Sequence, residues 1–320
     1  MTAELIEFHA KDGVALNGYI IKNKKKTKKL LIEIHGMTSN CFKKRERVIA
    51  ETAVKMTNVD TICINTRGSE ITKYIKNMQG EKKLAGTAYE DIEESYYDIL
   101  GIVEYALNLG YTSIYLQGHS LGATKVVFSY MKMIEENVKE VNNIKGIILL
   151  SLVDIPELFR ILSCEKFLPL AEKMEKDGKT LTLMPEEAFI HPISVKTYLK
   201  YTKYNNDIDF AQYNKKDYKF EVINKIKIPI FMRWGNNKEL VNMKTETLVE
   251  LMNNVIKNKN KDISYIDGAD HTYSDKEYIL AQEIVNFIKK IEVQQNLSND
   301  SLIKWIKYRF KIDMSQIHWK

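Results

Sequence analysis

Short blocks of mostly apolar residues alternate along the chain with longer stretches in which apolar residues recur at helical intervals. Lys29–Ile34 (KLLIEI) and Ser113–Gln117 (SIYLQ) have the length and composition of buried strands. In Tyr89–Leu109, by contrast, the apolar residues share one helical face. Strands that alternate with helices predict a parallel sheet with helices on both faces.

Eight such blocks predict the α/β class, with an eight-stranded, mostly parallel sheet. The first two blocks, Leu5–His9 and Val14–Ile21, flank a turn at Asp12-Gly13 and predict an antiparallel pair. The other six strands are predicted over residues 29–34, 59–65, 113–117, 145–152, 228–234 and 262–266. Helices are predicted after the fifth strand, as far as about residue 137, and after the eighth, over residues 275–291.

One stretch, residues 155–217, interrupts the alternation between the sixth and seventh strands. It has the pattern of several short helices and predicts a helical cap over the carboxyl edge of the sheet, here called the cap segment. Its aromatic residues either line an apolar pocket or form the cap's own core: Phe159, Phe167, Phe189, Tyr198, Tyr201, Tyr204, Phe210 and Tyr213. The predicted domains are therefore a core (residues 1–154 and 218–295), the cap segment, and a C-terminal helical extension (residues 296–320).

The predicted C-terminal extension contains a short amphipathic helix beyond Asn296. Its apolar face is made by Leu302, Trp305, Ile306 and Phe310. Such a face packs on its own domain or on a second subunit, so a homodimer is an open possibility. A helix on a membrane surface is a further alternative, which the short length and the lack of a lipidation motif disfavour, although it fits the basic residues Lys304, Lys307, Arg309 and Lys311.

Charge and cysteine content narrow the class of protein. The chain has 48 Lys+Arg and 42 Asp+Glu, a net charge of +6 without the concentrated basic face of a nucleic-acid binder. No apolar stretch is long enough for an integral membrane segment. Three cysteines without paired spacing predict neither a disulfide framework nor a metal site. Because the first residues also lack the pattern of a signal peptide, a cytoplasmic location is expected.

A G-x-S-x-G sequence, Gly118-His119-Ser120-Leu121-Gly122, joins the fifth predicted strand to a helix. On such a sharp turn the serine hydroxyl projects at the sheet edge, and the helix N-terminus behind it favours developing negative charge. Ser120 is therefore the predicted nucleophile. His119 lies within the turn, and its side chain is expected to face away from the hydroxyl.

His271 follows the last predicted strand in the sequence Gly-Ala-Asp-His. A serine hydroxyl needs a base to take its proton, and an imidazole has a suitable pKa near neutral pH. The chain order, serine before histidine, is the order found when a nucleophile of this type sits on an α/β sheet. His271 is therefore the predicted general base.

The loop after the third predicted strand, His35-Gly36-Met37, is a candidate for stabilising negative charge. A tetrahedral intermediate of acyl transfer carries an oxyanion that needs two preorganised donors. One donor is predicted to be the backbone N–H of Leu121, next to the nucleophile. The other is predicted to be the N–H of Met37.

These motifs resemble those of the α/β-hydrolase superfamily of serine hydrolases. The segments Asp12-Gly13-Val14, HGMTSN, NTRGSE, GHSLGA and GADHTY are similar to feruloyl-esterase-like and siderophore-esterase-like bacterial members, in order, over about residues 5–291. The resemblance implies hydrolysis of a small-molecule carboxylic ester through an acyl-enzyme, without a metal or an organic cofactor.

The acid of the triad departs from the pattern of the superfamily. A sequence like Gly-x-x-Asp is usual after the seventh strand, whereas this chain has Gly235-Asn236-Asn237-Lys238-Glu239. Glu239 is the predicted acid, and Lys238 is expected to face solvent. Asp154, after the sixth strand, is the alternative, and Asp270 is a third carboxylate that adjoins the base.

Two alternatives to an esterase stay open. A thioesterase or an acyltransferase would use the same triad, because fold alone does not select the acyl acceptor. A non-catalytic ligand-binding protein on this fold is the other alternative, and the missing aspartate is its only support. The retention of both Ser120 and His271 favours an enzyme.

Overall fold

The computed structural model of the chain describes residues 1–203 and 208–310, with side chains described as far as residue 294. Its strands are β1 (Ala3–His9), β2 (Ala15–Ile21), β3 (Lys29–Ile34), β4 (Asp60–Asn65), β5 (Lys73–Lys76), β6 (Lys82–Ala85), β7 (Ser113–His119), β8 (Ile144–Leu150), β9 (Ile230–Gly235) and β10 (Lys261–Ile266). Its α-helices are α1 (Lys44–Met56), α2 (Ser95–Asn108), α3 (Leu121–Glu135), α4 (Ile155–Ile161), α5 (Leu168–Lys176), α6 (Val195–Thr202), α7 (Glu221–Asn224), α8 (Thr245–Val255) and α9 (Glu277–Phe310).

Eight strands form one mixed sheet in the order β1-β2-β4-β3-β7-β8-β9-β10. β2 pairs antiparallel with both of its neighbours, and all other pairs in the sheet are parallel. The prediction of an eight-stranded, mostly parallel sheet is therefore confirmed, including the antiparallel opening pair. The short β5–β6 hairpin lies outside this sheet.

Helices cover both faces of the sheet, as predicted. Apolar residues of α2, α3 and α8 share one buried cluster with the sheet, while those of α1 and α9 share another cluster on the opposite face. The amphipathic stretch predicted to start at Tyr89 becomes regular α-helix only at Ser95, after two 3₁₀ turns at Thr87–Tyr89 and Ile92–Glu94. The sheet is thereby buried between two helical layers, which leaves its carboxyl edge as the accessible side for chemistry.

The described aromatic residues of the cap segment lie in or against buried clusters. None of them lines the cavity around Ser120, although Phe210 borders a smaller cavity beside α3. Phe159, Phe189, Tyr198 and Tyr201 are buried in one cluster, where the rings of Phe159 and Phe189 stack with centroids 4.3 Å apart. Phe167 packs against the same cluster, and Phe210 and Tyr213 are buried in the main core. Tyr204 lies outside the described residues. The second of the two alternatives, a core of the cap itself, therefore holds for Phe159, Phe167, Phe189, Tyr198 and Tyr201. The division into core, cap and extension domains remains a prediction.

The C-terminal part of the chain differs from its predicted secondary structure. A helix ending near Ile291 and a separate one beyond Asn296 are predicted, but α9 runs without interruption over Glu277–Phe310. The sequence contains neither glycine nor proline between these two residues, so nothing breaks the backbone hydrogen bonding. The predicted apolar face of this segment lies outside the described side chains.

Among the described residues, none of the helices combines the length and apolar character needed to cross a bilayer.

The start of α3 lies in close contact with the end of β3. A Cβ atom added at Gly122 would lie 2.5 Å from the carbonyl oxygens of both Ile34 and His35. One turn earlier, a Cβ atom at Gly118 would lie 2.2 Å from the carbonyl oxygen of Gly122. Both distances are far below van der Waals contact, so these two glycines allow the helix and the strand to meet.

We expect Gly122→Ala to lower the free energy of unfolding by about 1–3 kcal/mol, because the added methyl group displaces backbone atoms. Denaturant unfolding measures the change. Glu135→Ala, at the exposed end of the same helix, is the matched control and is expected to change stability by less than about 0.5 kcal/mol. Equal stability of the Gly122 variant and the parent protein would contradict the close approach.

Candidate active site

Ser120 occupies a strained turn between β7 and α3. Its backbone angles are φ 53° and ψ −124°, outside the regions that residues other than glycine usually adopt. The Ser120 N–H donates to the carbonyl oxygen of Leu150 at 2.8 Å, which ties the turn to the end of β8. The strand-turn-helix context predicted for this serine is therefore present.

Ser120, His271 and Glu239 form one chain of hydrogen bonds. The Nε2 atom of His271 lies 3.0 Å from the Oγ atom of Ser120. On the other side of the ring, Nδ1 is hydrogen-bonded to Oε1 of Glu239. The three residues come from the ends of β7, β10 and β9, which meet at the carboxyl edge of the sheet.

The carboxylate of Glu239 is buried and held in a fixed orientation. Its side chain is 2% exposed. Oε2 accepts hydrogen bonds from the Ser151 hydroxyl at 2.7 Å and from the Gly235 N–H at 3.0 Å. Burial raises the pKa of this carboxyl, but its hydrogen bond to His271 and the charge of that ring outweigh burial, and the pKa lies below its ordinary value.

Lys238 adopts the left-handed conformation, with φ 57°, and its side chain is exposed, as expected. This conformation turns the chain immediately before Glu239, whose side chain then points into the site. The longer glutamate, one residue beyond the usual aspartate, thereby reaches the ring of His271.

Asp154 does not contact His271. Its Oδ1 atom accepts a hydrogen bond from the N–H of Glu157 at 3.1 Å and so caps the N-terminus of α4. Burial raises the pKa of Asp154 to about 6. Asp270 is also turned to other partners, since Oδ1 accepts hydrogen bonds at 2.9 Å from the N–H groups of Thr272 and Ser274. Of the three candidate acids, only Glu239 is brought to the base.

Ser151 is a site residue that the sequence analysis missed. It is buried at the end of β8, with a left-handed φ of 45°, and its N–H donates to the carbonyl oxygen of Arg233 at 2.6 Å. The Tyr273 hydroxyl donates to that same carbonyl at 2.7 Å and lies 3.0 Å from the Oγ of Ser151. A serine at a strand end carries no recognisable sequence signal, so only the fold reveals its contact with Glu239.

His119 faces away from the Ser120 hydroxyl, as expected, and supports the loop that carries the base. Its Nε2 atom is 2.8 Å from the carbonyl oxygen of His271 and donates to it. Burial lowers the pKa of His119 well below its ordinary value, so the ring is neutral. A neutral ring with a proton on Nε2 is a fixed donor that holds the backbone of His271 in place.

Met37 and Leu121 both line the cavity that contains Ser120. Neither backbone N–H group has a hydrogen-bond acceptor within the part of the chain that the structure describes. Leu121 is the first residue of α3, where an N–H has no partner within the helix. Two residues that line the cavity of Ser120 thus carry backbone N–H groups of the kind that binds an oxyanion.

His35 orders the loop that carries Met37. Its Nε2 atom accepts a hydrogen bond from the N–H of Thr66 at 3.2 Å, which leaves Nδ1 to donate to the carbonyl oxygen of Gly36 at 2.8 Å. Burial, together with the nearby charge of Lys125, lowers the pKa of His35 to about 3. The ring is therefore neutral at physiological pH, and its two hydrogen bonds hold the loop in position.

The cavity around Ser120 has a volume of about 650 Å³, and its lining includes two chemically unlike sets of side chains, called walls here. One, the aliphatic wall, consists of Val153, Ile155, Leu158, Ile190 and Leu240. The other, the polar wall, consists of side chains from residues 38–45 and 272–277. This volume lies within the range of small-molecule sites.

Comparison with known proteins places the fold among known hydrolases. A family profile described as "Protein of unknown function (DUF1749)" matches residues 84–293. A search of curated protein sequences gives no match. Among solved structures, Est1E from Butyrivibrio proteoclasticus with bound ferulic acid is similar, with a TM-score of 0.60 and 21% identity over 89% of this chain and 99% of that one.

Two further structures have the same architecture. The Pyrococcus furiosus esterase Pf2001 has a TM-score of 0.57 and 20% identity, and the match covers 90% of this chain and 91% of Pf2001. The alpha/beta hydrolase GrgF from Penicillium sp. sh18 has a TM-score of 0.61 and 15% identity, and the match covers 91% of this chain and 99% of GrgF. At these identities the likeness shows the fold, and the resemblance to the α/β-hydrolase superfamily is confirmed at that level.

The capping role of Asp154 predicts a pH-dependent stability. Because its pKa is about 6 in the folded protein and about 3.9 when unfolded, the protonated form stabilises the fold at pH 4, and that stabilisation is lost as the pH rises to 6. Asparagine mimics the protonated form and still accepts the capping hydrogen bond. Relative to the parent protein, Asp154→Asn is therefore expected to gain up to about 3 kcal/mol between pH 4 and pH 7.

Asp270→Asn is the matched control of opposite sign. Its hydrogen bonds from Thr272 and Ser274 outweigh burial and lower the pKa of Asp270, so this carboxylate stabilises the fold above pH 4. Unfolding of all three proteins from about pH 2 to pH 7 measures both effects, since the stabilisation from Asp270 is lost only as the pH falls below about 4. A stability difference between Asp154→Asn and the parent that does not change with pH would contradict the burial of an unpaired carboxyl at Asp154.

Proposed function

The chain belongs to the DUF1749 family of proteins of unknown function and has the α/β-hydrolase fold, and from its site we propose that it is a serine hydrolase. In this proposal it cleaves a carboxylic ester through an acyl-enzyme intermediate. The observation that carries the proposal is the continuous hydrogen-bonded chain from the strained Ser120 through His271 to the buried carboxylate of Glu239.

In the first step, the Oγ atom of Ser120 attacks the ester carbonyl carbon and transfers its proton to Nε2 of His271. A bond forms between Oγ and this carbon, and the carbonyl π electrons move to oxygen. Glu239 accepts the Nδ1–H hydrogen bond and stabilises the imidazolium that forms. The lowered pKa of Glu239 keeps that carboxyl ionised at neutral pH, as this role requires.

The oxyanion of the intermediate accepts hydrogen bonds from the N–H groups of Met37 and Leu121. These donors are fixed before the substrate arrives, because α3 begins at Leu121 and the ring of His35 braces the loop of Met37. Preorganised donors of this type stabilise the transition state without further reorganisation.

Collapse of the intermediate breaks the bond between the carbonyl carbon and the alcohol oxygen, which takes its proton from His271. Water then attacks the acyl carbon and gives a proton to His271. The bond between this carbon and Oγ breaks, Oγ takes that proton back from His271, and the carboxylic acid departs. A thioester enters the same sequence with a thiol as leaving group, and an acyltransferase replaces water by another acceptor. Hydrolysis, unlike acyl transfer to another acceptor, needs only the groups present in the site and water.

The strained conformation of Ser120 favours catalysis over simple ligand binding. Left-handed backbone at a residue other than glycine costs about 1–3 kcal/mol and persists where the surrounding structure enforces it. Here the strain aims the hydroxyl at His271, a contact that binding alone does not require.

We expect Ser120→Ala to lower the rate of hydrolysis of p-nitrophenyl butanoate by at least about 1,000-fold, because no other hydroxyl replaces the nucleophile. Ser129→Ala is the matched control, since Ser129 is a buried serine of the same helix, α3, outside the cavity. Its rate is expected to stay close to that of the parent. A folded Ser120 variant with the parent rate would show that the assignment of the nucleophile is wrong.

Glu239→Gln is expected to lower kcat by about 100- to 10,000-fold, because a neutral amide does not stabilise the imidazolium. Asp154→Asn, measured under the same conditions, is expected to keep kcat within about threefold of the parent, since Asp154 caps α4 and does not contact His271. A large loss of kcat in Asp154→Asn with little change in Glu239→Gln would show that the assignment of Glu239 as the acid is wrong.

A further inference from the structure

The two walls of the cavity differ in chemistry. The aliphatic wall contains no Phe, Tyr or Trp, and none lines the cavity elsewhere among the described residues. Its members Val153, Ile155 and Leu158 belong to the same buried cluster as the core of the cap segment, which makes this wall a rigid apolar surface. Such a surface gains free energy from burying methylene groups and offers no hydrogen bonds to a polar group.

The polar wall is held together by contacts between its two segments. The Nζ atom of Lys44 lies 3.0 Å from Oε1 of Glu277 and 3.4 Å from Oδ1 of Asp275. The Nη1 group of Arg45 donates to the carbonyl oxygen of Thr272 at 3.4 Å. Charges of both signs therefore stand side by side on this wall, together with the exposed hydroxyls of Thr272 and Ser274.

The position of His271 decides which part of an ester faces which wall. In the proposed reaction, His271 gives its proton to the departing oxygen, so the leaving alcohol lies beside this ring. Residues 272–277 of the polar wall follow His271 directly in the chain. The alcohol therefore faces the polar wall, and the acyl group faces the aliphatic wall.

The structure thus points to an ester of an aliphatic acid with a neutral alcohol that carries further hydroxyl groups. Hydroxyls donate to carboxylates and accept from ammonium and guanidinium groups, so a wall with both signs of charge suits a polyol better than an anion or a cation. This inference rests on the proposed function, because it assumes that Ser120 is acylated and that His271 protonates the leaving group.

Three esters test the two halves of this inference with matched substrates. Glyceryl hexanoate and propyl hexanoate share a three-carbon alcohol skeleton and differ only in the hydroxyls that face the polar wall. Glyceryl benzoate replaces the flexible acyl chain by a ring. We expect kcat/KM for glyceryl hexanoate to exceed that for each of the other two by about tenfold or more.

Variants of the two walls are expected to act independently. Ile190→Ser is expected to lower the ratio of kcat/KM for glyceryl hexanoate to that for glyceryl acetate by about 3- to 10-fold. Ser274→Ala is expected to lower the ratio of kcat/KM for glyceryl hexanoate to that for propyl hexanoate by a similar factor. It is expected to leave the ratio of kcat/KM for glyceryl hexanoate to that for glyceryl acetate unchanged. Leu181→Ser is the control, because Leu181 is an exposed residue of the cap segment outside the cavity.

Labelling of Ser120 by hexyl and phenyl fluorophosphonates tests the aliphatic wall without turnover, and faster labelling by the hexyl compound is expected. Hydrolysis that favours the benzoate or the propyl ester, or faster labelling by the phenyl compound, would overturn the inference and leave the proposed function standing. If no ester is hydrolysed and neither compound labels Ser120, both the inference and the proposed function are wrong.

Discussion

The parallel arrangement of the central strands is the constraint on which the site depends. β3, β7, β8, β9 and β10 all run in one direction, so the loops that follow them meet at one edge of the sheet. Met37 follows β3, Ser120 and Leu121 follow β7, and Ser151, Glu239 and His271 follow β8, β9 and β10. Residues far apart in the chain are therefore brought within hydrogen-bonding distance of one another.

Glu239 stands one residue beyond the usual position of the acid, and two local features compensate for this shift. The left-handed Lys238 turns the chain, and the extra methylene of Glu239 extends its reach to His271. A longer side chain has more rotamers, and ordering it costs more conformational entropy. The Ser151 hydroxyl and the Gly235 N–H offset that cost by fixing the oxygen that His271 does not use.

The sequence carries much of this information, and the reasons for its limits are physical. Strand lengths, the Gly118–Gly122 motif and the position of His271 depend on local patterns, and the fold bears out the sheet that these patterns predict. Ser151 has no local pattern, because its partners Glu239 and Tyr273 lie far away in the chain. The aromatic residues of the cap segment were ambiguous for the same reason, since composition alone does not distinguish a core from a pocket wall.

The central claim is that an acyl group is carried by Ser120 during turnover. Acid quenching of the enzyme within the first turnovers of p-nitrophenyl butanoate, followed by mass spectrometry of its peptides, tests this directly. The account predicts a burst of nitrophenol and a single butanoyl group on the peptide that contains Ser120. Sustained turnover without an acyl group on Ser120, or with one on another residue, would contradict it.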